Sequence, residues 1–425
     1  MTSTLFKIAP APAPTLHKLP NGLTIVAQQM PLEAVNLNIW LNVGSCVESD
    51  PINGMAHFLE HMVFKGTPQL KSGEFELLIE QRGAVTNAAT SQDYTHYYIT
   101  SAPKDFAQLA PLQLDVVLNP SIPDDAFERE RLVVLEEIRR SEDNPRRRTF
   151  QQAMEVAFEQ LPYRRPVLGP ASVIEQLTAQ QMRDFHASNY QPQAMTAAVV
   201  GNLPVEELIE IVAEGFSTLG SQTTNNKQQT TSNPEAAFKE IVRREYVDES
   251  VQQARLVMVW RVPGLKQLSE TYPLDVLAVI LGQGRMSRLF RDLREDRHLV
   301  SHIGVSNMSQ QLQGVFYIGA QLPVENVAEV EAAIAQHIRT LQSELVTQAE
   351  MSRVRTQVAN RFIFGNESPS DRANLYGYYH SLMGDLEPAL TYPARIQSLD
   401  AEDLRIAAQQ HLSPDAYGVV VVKPA

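Results

Sequence analysis

The chain has 425 residues, enough for two or more domains, and its 44% hydrophobic and 20% charged residues are typical of globular proteins. A formal net charge of −13 argues against a nucleic-acid partner, and no apolar run is long enough to cross a membrane. The single cysteine, Cys46, excludes an internal disulfide, and the N-terminal segment lacks the apolar core of a secretory signal. We therefore expect a cytoplasmic protein.

The first half of the sequence mixes strand and helix patterns. Alternating and β-branched residues predict strands over residues 23–28, 35–43 and 95–99. Apolar residues at helical spacing predict helices over residues 55–63, 73–81 and 124–140. Asp124 stands where the N-cap residue of the last of these helices is expected.

The segment His57-Phe58-Leu59-Glu60-His61 lies on the first predicted helix. Residues four apart on a helix share a face, so both imidazoles can reach one metal ion at about 2.0–2.1 Å, the usual zinc–nitrogen distance. Glu60 lies beside the same face, where it can accept a proton from a water molecule at the metal. The order H-x-x-E-H is the inverzincin signature. The alternative interpretation is a surface helix that carries two histidines without binding a metal.

Two histidines do not complete a catalytic zinc site, which usually has three protein ligands and a water. The predicted helix over residues 124–140 carries four candidate carboxylates, Glu128, Glu130, Glu136 and Glu137. Glu130 and Glu137 are two turns apart and share a face, whereas Glu136 points about 100° away. Two acids on a buried face need a cation, which zinc would supply. The alternative is a pair of surface acids bound to neighbouring arginines, and spacing alone does not select among the glutamates.

A polar stretch over residues 221–233 lacks large apolar side chains and predicts a linker. On this basis we expect a zinc-binding domain over residues 1–220, a linker over 221–238 and a second domain over 239–425.

The two halves resemble each other near their ends. Ile174, Met182 and Val199 correspond to Ile396, Leu404 and Val421 at one constant offset, within a helix, a proline turn and an apolar strand in each half. Elsewhere in the second half, residues 255–262 and 315–320 predict strands and residues 324–361 predict one long helix. The sequence therefore predicts an α+β fold of two homologous domains from an internal duplication. Each should be a largely antiparallel sheet packed with helices, and the second should have no zinc site.

The combination of the H-x-x-E-H motif with Glu137 in the segment ERERLVVLEEI resembles the pitrilysin family, which includes insulin-degrading enzyme and the mitochondrial processing peptidase. Residues 83–90 with Tyr97 and Tyr98 are similar to the family's segment after the zinc helix. Residues 281–290 are similar to its Gly-rich turn and S-R-L-F stretch. The resemblance covers nearly the whole chain and both halves.

The resemblance implies specific roles for residues of the first half. His57, His61 and Glu137 would be zinc ligands, and Glu60 would be the general base. Glu130 would orient one of the histidines, as residues around metal ligands commonly do.

The resemblance also implies how substrate is bound and how chains assemble. Asn87 and Ala88 would lie on an edge strand that binds the substrate backbone, and short members of the family dimerise into a closed chamber. Active members often supply an Arg and a Tyr from the second half, but residues 314–318 contain Tyr317 and no arginine. We therefore expect either a homodimer or a heterodimer with a related subunit that provides the missing contacts.

These observations predict a zinc metalloendopeptidase with one Zn²⁺ per chain that cleaves short or unfolded peptides inside a closed chamber. Two alternatives stay open. The chain could be the zinc subunit of a heterodimeric peptidase, or it could be a non-catalytic scaffold with the same fold. The negative charge would attract basic peptides, although solubility alone also explains it.

Overall fold

The computed structural model describes residues 13–219 and 233–425, and a six-stranded sheet forms the centre of the first half. Its strands are β1 (Thr15–Lys18), β2 (Thr24–Gln29), β3 (Val35–Leu41), β4 (Val85–Thr90), β5 (Thr95–Ser101) and β6 (Met195–Gly201). They are arranged in the order β1-β2-β6-β3-β5-β4, so β4 lies at an edge. Only the β2–β6 pair among these neighbours is parallel.

A five-stranded sheet forms the centre of the second half. Its strands are β7 (Val242–Val247), β8 (Ala254–Pro263), β9 (His302–Met308), β10 (Gln313–Leu322) and β11 (Gly418–Lys423), in the order β7-β11-β8-β10-β9. The β7–β11 pair is parallel and the other pairs are antiparallel. This pattern repeats that of β2-β6-β3-β5-β4, which confirms the predicted α+β fold with two similar, largely antiparallel domains.

Helices occupy the connections between strands. Those of the first half are α1 (Met55–Met62), α2 (Glu74–Gln81), α3 (Pro103–Leu118), α4 (Asp124–Glu142), α5 (Pro145–Ala157), α6 (Ala171–Ile174), α7 (Ala179–Asn189) and α8 (Val205–Leu219). Those of the second half are α9 (Leu268–Gly282), α10 (Val327–Ser343), α11 (Gln348–Phe364), α12 (Pro369–Met383), α13 (Glu387–Ser398) and α14 (Ala401–His411), with a π-helical segment at Phe290–Asp296.

Two local predictions are wrong. The single helix expected over residues 324–361 is two helices, because Glu344 leaves the helical conformation and Thr347 begins α11 with a capping box to Glu350. Asp124 is the first residue of α4 and not its N-cap. Pro123 is extended and takes the N-cap position, while the Asp124 carboxylate accepts a hydrogen bond from Arg183 at 2.8 Å.

The correspondence between the halves extends to burial. The helix–turn–strand segments α7–β6 and α14–β11 occupy the predicted equivalent positions. Met182 and Leu404 are both fully buried on their helices, and Val199 and Val421 are fully buried in their strands. In each half the last strand therefore lies at the same place in the sheet, beside its parallel neighbour.

One helix of each half packs against the sheet of the other half. Helix α12 lies on β3 and β6, where the backbone of Gly377 is so close to the Trp40 indole that a Cβ atom would lie 2.1 Å from it. The Ser381 hydroxyl donates a hydrogen bond to Asn42 Oδ1 at 2.6 Å. Helix α5 of the first half packs on β8 and β11. A Cβ atom at Gly418 of β11 would lie 2.6 Å from Cγ1 of Val156 on α5. Each sheet is thus covered on one face by the other half.

The predicted linker lies largely outside the described residues, and the described chain resumes at residue 233. Two residues later, the side chain of Glu235 forms hydrogen bonds with the first half. Its Oε1 accepts hydrogen bonds from the backbone N–H groups of Glu159, Gln160 and Leu161 at 2.9–3.0 Å. Its Oε2 lies 3.0 Å from Nη2 of Arg261 on β8, and both side chains are nearly buried. The domain boundaries themselves stay a prediction.

Candidate metal centre

Helix α1 begins at a tightly constrained turn. Gly54 has a left-handed φ of 98°, and a Cβ atom there would lie 2.6 Å from the Leu168 carbonyl oxygen, so glycine is required. The buried Glu48 carboxylate accepts hydrogen bonds from the backbone N–H groups of Gly54 at 2.8 Å and Ala56 at 2.7 Å. Burial raises the pKa of Glu48, while the hydrogen bonds it accepts act in the opposite direction. Glu48 thus satisfies two N–H groups at the start of the helix and fixes where it starts.

The two predicted histidines project from α1 towards α4. His57 is 7% exposed and His61 is half-buried, and their ring centroids are 4.9 Å apart. Glu137 Oε2 lies 3.4 Å from His57 Nε2 and 3.6 Å from His61 Nε2. One ligand atom from each of the three residues lies within 4.8 Å of the others. Among the described residues, this is the one group of three or more such side chains close enough to share a metal ion.

Glu130 contacts the outer side of the same cluster. Its Oε1 is 3.0 Å from His61 Nδ1, and its Oε2 is 2.7 Å from Lys65 Nζ. A proton on Nδ1 that is shared with this carboxylate leaves the Nε2 lone pair facing Glu137. Burial acts to raise the pKa of Glu130, but Lys65 and His61 outweigh it, and the pKa lies below its ordinary value.

The other two candidate glutamates of α4 point elsewhere. Glu136 is bound to Arg139 and Arg140 on the exposed face, and Glu128 is bound to Arg131. The structure therefore separates four carboxylates that spacing could not separate, and it brings Glu130 and Glu137 to the histidines.

The cluster is strongly coupled electrostatically. The imidazoles of His57 and His61 hold the pKa of Glu137 well below its ordinary range. Burial lowers the pKa of His61, but hydrogen bonding to Glu137 and Glu130 outweighs this effect and raises it. Two imidazole nitrogens and one carboxylate oxygen that converge on one point form the donor set of a catalytic zinc site, so these residues fit the metal.

Glu60 lies on α1 between the two histidines and is half-buried. The hydroxyl of Thr90 at the end of β4 donates a hydrogen bond to Glu60 Oε2. The hydroxyls of Tyr97 and Tyr190 are 2.8 Å apart, and burial raises the pKa of both, with the charge of Glu60 as a further cause. A carboxylate at this position can accept a proton close to the cluster.

Asn87 and Ala88 lie on β4, the edge strand of the first sheet, where Asn87 is exposed. The Asn87 Oδ1 atom accepts a hydrogen bond from the Ala88 backbone N–H at 2.9 Å. Tyr317 lies elsewhere, on β10, where it packs against Phe150 of α5 with ring centroids 6.0 Å apart and burial raises its pKa to about 12. Tyr317 is therefore a packing residue within this chain.

Sequence reasoning missed Glu48, Lys65 and Thr90. None of them belongs to the H-x-x-E-H motif. Glu48 precedes the helix that it caps, and Thr90 is brought to Glu60 by the pairing of β4 with β5. Residue spacing within one sequence does not identify such contacts, because they form only when distant segments pack together.

Comparison with known families agrees with this geometry. Residues 24–171 match the family model described as Insulinase (Peptidase family M16), and residues 176–358 match the one described as Peptidase M16 inactive domain. The chain belongs to peptidase family M16, as a single unit with one N-terminal and one C-terminal domain of that family.

Relatives of similar length are named zinc proteases. An uncharacterized zinc protease of Mycobacterium bovis is 29% identical over 98% of this chain and 94% of its own length. The zinc protease PqqE of Helicobacter pylori is 28% identical over 96% of this chain and 92% of its own length. The crystal structure of a protease from Helicobacter pylori superposes with a TM-score of 0.92 at 26% identity, covering 97% of this chain and all of the other. The family that the sequence resembles is confirmed.

Within residues 13–219 and 233–425, no helix combines the length and the apolar content that are needed to span a bilayer.

Proposed function

We propose that this protein is a zinc metalloendopeptidase that cleaves short or unfolded peptides. The observation that carries the proposal is the convergence of His57, His61 and Glu137 with the carboxylate of Glu60 beside them. Relatives named zinc proteases that match nearly the whole chain support it.

The residues divide the chemistry between them. His57, His61 and Glu137 would hold Zn²⁺, which when bound supplies a Lewis acid that polarises a carbonyl oxygen and acidifies water. Glu60 would accept the proton of the attacking water and pass it to the leaving amine. Glu130 holds the His61 ring through Nδ1, so that Nε2 faces the site.

The peptide would bind in an extended conformation along the free edge of β4. Backbone hydrogen bonds to an edge strand give affinity with little demand on sequence. A peptide there would replace the hydrogen bond between Asn87 Oδ1 and the Ala88 N–H. A closed chamber formed with a second subunit would restrict access to short or unfolded chains.

A second candidate is a zinc subunit that works only with a partner. Among the described residues, the side chains that bond to the metal cluster all come from the first half, and Tyr317 is used in packing. Transition-state contacts from a second subunit, identical or related, would complete such a site.

The test is zinc content and peptide hydrolysis by the purified full-length chain. We expect about one zinc per chain and cleavage of quenched fluorogenic peptides. Glu60→Gln should abolish hydrolysis and keep the zinc, whereas His57→Ala should lose both. Glu80→Gln, an exposed glutamate on α2, is the matched control and should behave like wild type. Full activity of Glu60→Gln would refute the assignment of the base, and activity that appears only after a related subunit is added would favour the second candidate.

Charge provides a separate test of the substrate class. Because the chain carries a net charge of −13, basic peptides should be cleaved faster than acidic peptides of equal length, most clearly at low salt. Equal rates for the two series would remove electrostatic attraction from the proposal.

A further inference from the structure

The hydrogen bond between Thr90 and Glu60 joins two elements that are distant in sequence. Glu60 belongs to α1, and Thr90 is the last residue of β4, where it pairs with Thr95 across the hairpin. An ionised carboxylate has no proton to give, so the Thr90 hydroxyl must be the donor. Among the described residues, Thr90 is the one side-chain donor to Glu60, and it binds Oε2 alone. The other oxygen, Oε1, is left to receive a proton.

The strand end that carries Thr90 is itself held in place. Thr95, which pairs with Thr90 across the hairpin, donates its hydroxyl to the Val43 carbonyl oxygen at 2.7 Å. The carbonyl oxygen of Ser91 accepts a hydrogen bond from the backbone N–H of Ser45 at 3.2 Å. This hairpin turn is therefore bound to the segment that precedes α1.

The same turn is also bound to the second half. Asp93 Oδ2 accepts a hydrogen bond from the backbone N–H of Gln311 at 2.8 Å, and its Oδ1 accepts one from the Tyr163 hydroxyl at 2.8 Å. The Tyr163 oxygen in turn accepts a hydrogen bond from the backbone N–H of Leu312 at 2.9 Å. Contacts from both halves thus fix the strand end that carries Thr90.

We propose that Thr90 is a positioning residue for the general base: its hydroxyl fixes Oε2 of Glu60, so that Oε1 is held in one orientation beside the histidines. This inference rests on the proposed function. Thr86, four residues earlier on the same face of β4, shows the contrast, because its hydroxyl donates to the Tyr98 carbonyl oxygen of the neighbouring strand at 3.1 Å.

The test compares Thr90→Val, which keeps the shape and removes the hydroxyl, with Thr90→Ser, which keeps the hydroxyl. In Thr90→Val we expect kcat to fall about 10- to 100-fold, as for loss of a hydrogen bond to a charged group, with KM and zinc content unchanged. Thr90→Ser should retain kcat within about threefold of wild type. Thr149→Val removes a buried hydroxyl that donates to Pro145 O on α5, and it should leave kcat unchanged.

A readout independent of turnover is the crystal structure of Thr90→Val, in which we expect the Glu60 carboxylate to leave its wild-type orientation. Full kcat in Thr90→Val beside an inactive Glu60→Gln would overturn the role of Thr90 and leave the proposed function intact. Equal losses in the Val and Ser variants, with lost zinc or a lower melting temperature, would show a structural role and also overturn it. Both proposals would be overturned if the wild-type chain bound zinc but cleaved no peptide, alone or with a related subunit, and so had no more activity than Glu60→Gln.

Discussion

Replacement of Asp275 by asparagine is expected to stabilise the protein at neutral pH. Asp275 lies on α9 and lines a cavity of 430 Å³ in the second half. Its carboxylate accepts hydrogen bonds from Asn307 Nδ2 at 2.8 Å and from the Tyr392 hydroxyl at 3.1 Å, and no charged side chain among the described residues pairs with it. Burial raises the pKa of Asp275 from 3.8 to about 6.

The size of the effect follows from this pKa. At about 1.4 kcal/mol for each tenfold change in proton affinity, keeping Asp275 ionised at pH 7 costs about 3 kcal/mol of folding stability. Asparagine has nearly the same shape, keeps the bond from Asn307 and can donate to the Tyr392 oxygen. We therefore expect Asp275→Asn to gain about 1–3 kcal/mol, the lower figure allowing for imperfect hydrogen bonds of the amide.

The gain should depend on pH in a defined direction. Well below the ordinary pKa of 3.8, Asp275 is protonated in both the folded and the unfolded state, so the wild type carries no penalty. The penalty grows as pH rises through the range from 3.8 to about 6, because the unfolded state ionises first, and it is complete above that range. The stability advantage of Asp275→Asn should follow the same course.

Thermal unfolding of the full chain at pH 4 and pH 7.5 measures this difference. At pH 7.5 the melting temperature of Asp275→Asn should exceed that of wild type by about 1–3 °C, at about 1 °C per kcal/mol for a chain of this length, and the difference should become small at pH 4. Asp296→Asn, at an aspartate that is 62% exposed and 3.7 Å from Arg291, is the control and should change little at either pH. An Asp275→Asn variant no more stable than wild type at pH 7.5 would refute the reasoning.

Three further predictions concern the junction and the metal centre. Glu235→Ala should destabilise the chain by about 3–5 kcal/mol, because Arg261 loses the nearer of its two carboxylate partners in a nearly buried site and three backbone N–H groups lose their acceptor; an unchanged melting temperature would contradict this. Glu137→Gln should weaken zinc binding at least 10-fold in chelator competition, while Glu136→Gln, next to it on the exposed face, should not. Zinc affinity should fall as pH drops through the raised pKa of His61, because a protonated imidazole must lose its proton before Nε2 can bind the metal. Calorimetric titration measures this affinity, and a value that does not change between pH 5 and 8 would exclude the prediction.

The part of the site that lies on one helix could be predicted from the sequence. Positions four apart on α1 must share a face, so the pairing of His57 with His61 follows from helix geometry. The approach of α4 to α1 depends on tertiary packing, which is why the residues alone left several glutamates open until the family resemblance was used. Thr90 and Lys65 reach the site from a strand end and a loop, where periodicity carries no information.

Burial was harder to predict than secondary structure. The alternation V-N-L-N-I in β3 indicates a strand with one polar face, yet all seven residues of the strand are buried. The polar face is covered by α12 of the second half, and Asn36 and Asn38 bond to Thr100 and His96 of the neighbouring strand. The break between α10 and α11 did leave a local signal, the capping box from Thr347 to Glu350, within a pattern that otherwise continues as helix.

The mutual coverage of the sheets by α5 and α12 has a consequence for how the chain is built. Fragments 13–219 and 233–425, produced separately, would each expose a sheet surface that the other is shaped to cover, so they should associate when mixed rather than behave as independent modules. Two copies of an ancestral half-length chain would reach the same arrangement by domain swapping, in which each copy packs one helix on the sheet of the other. The present molecule has the form of such a swapped pair fused into one polypeptide.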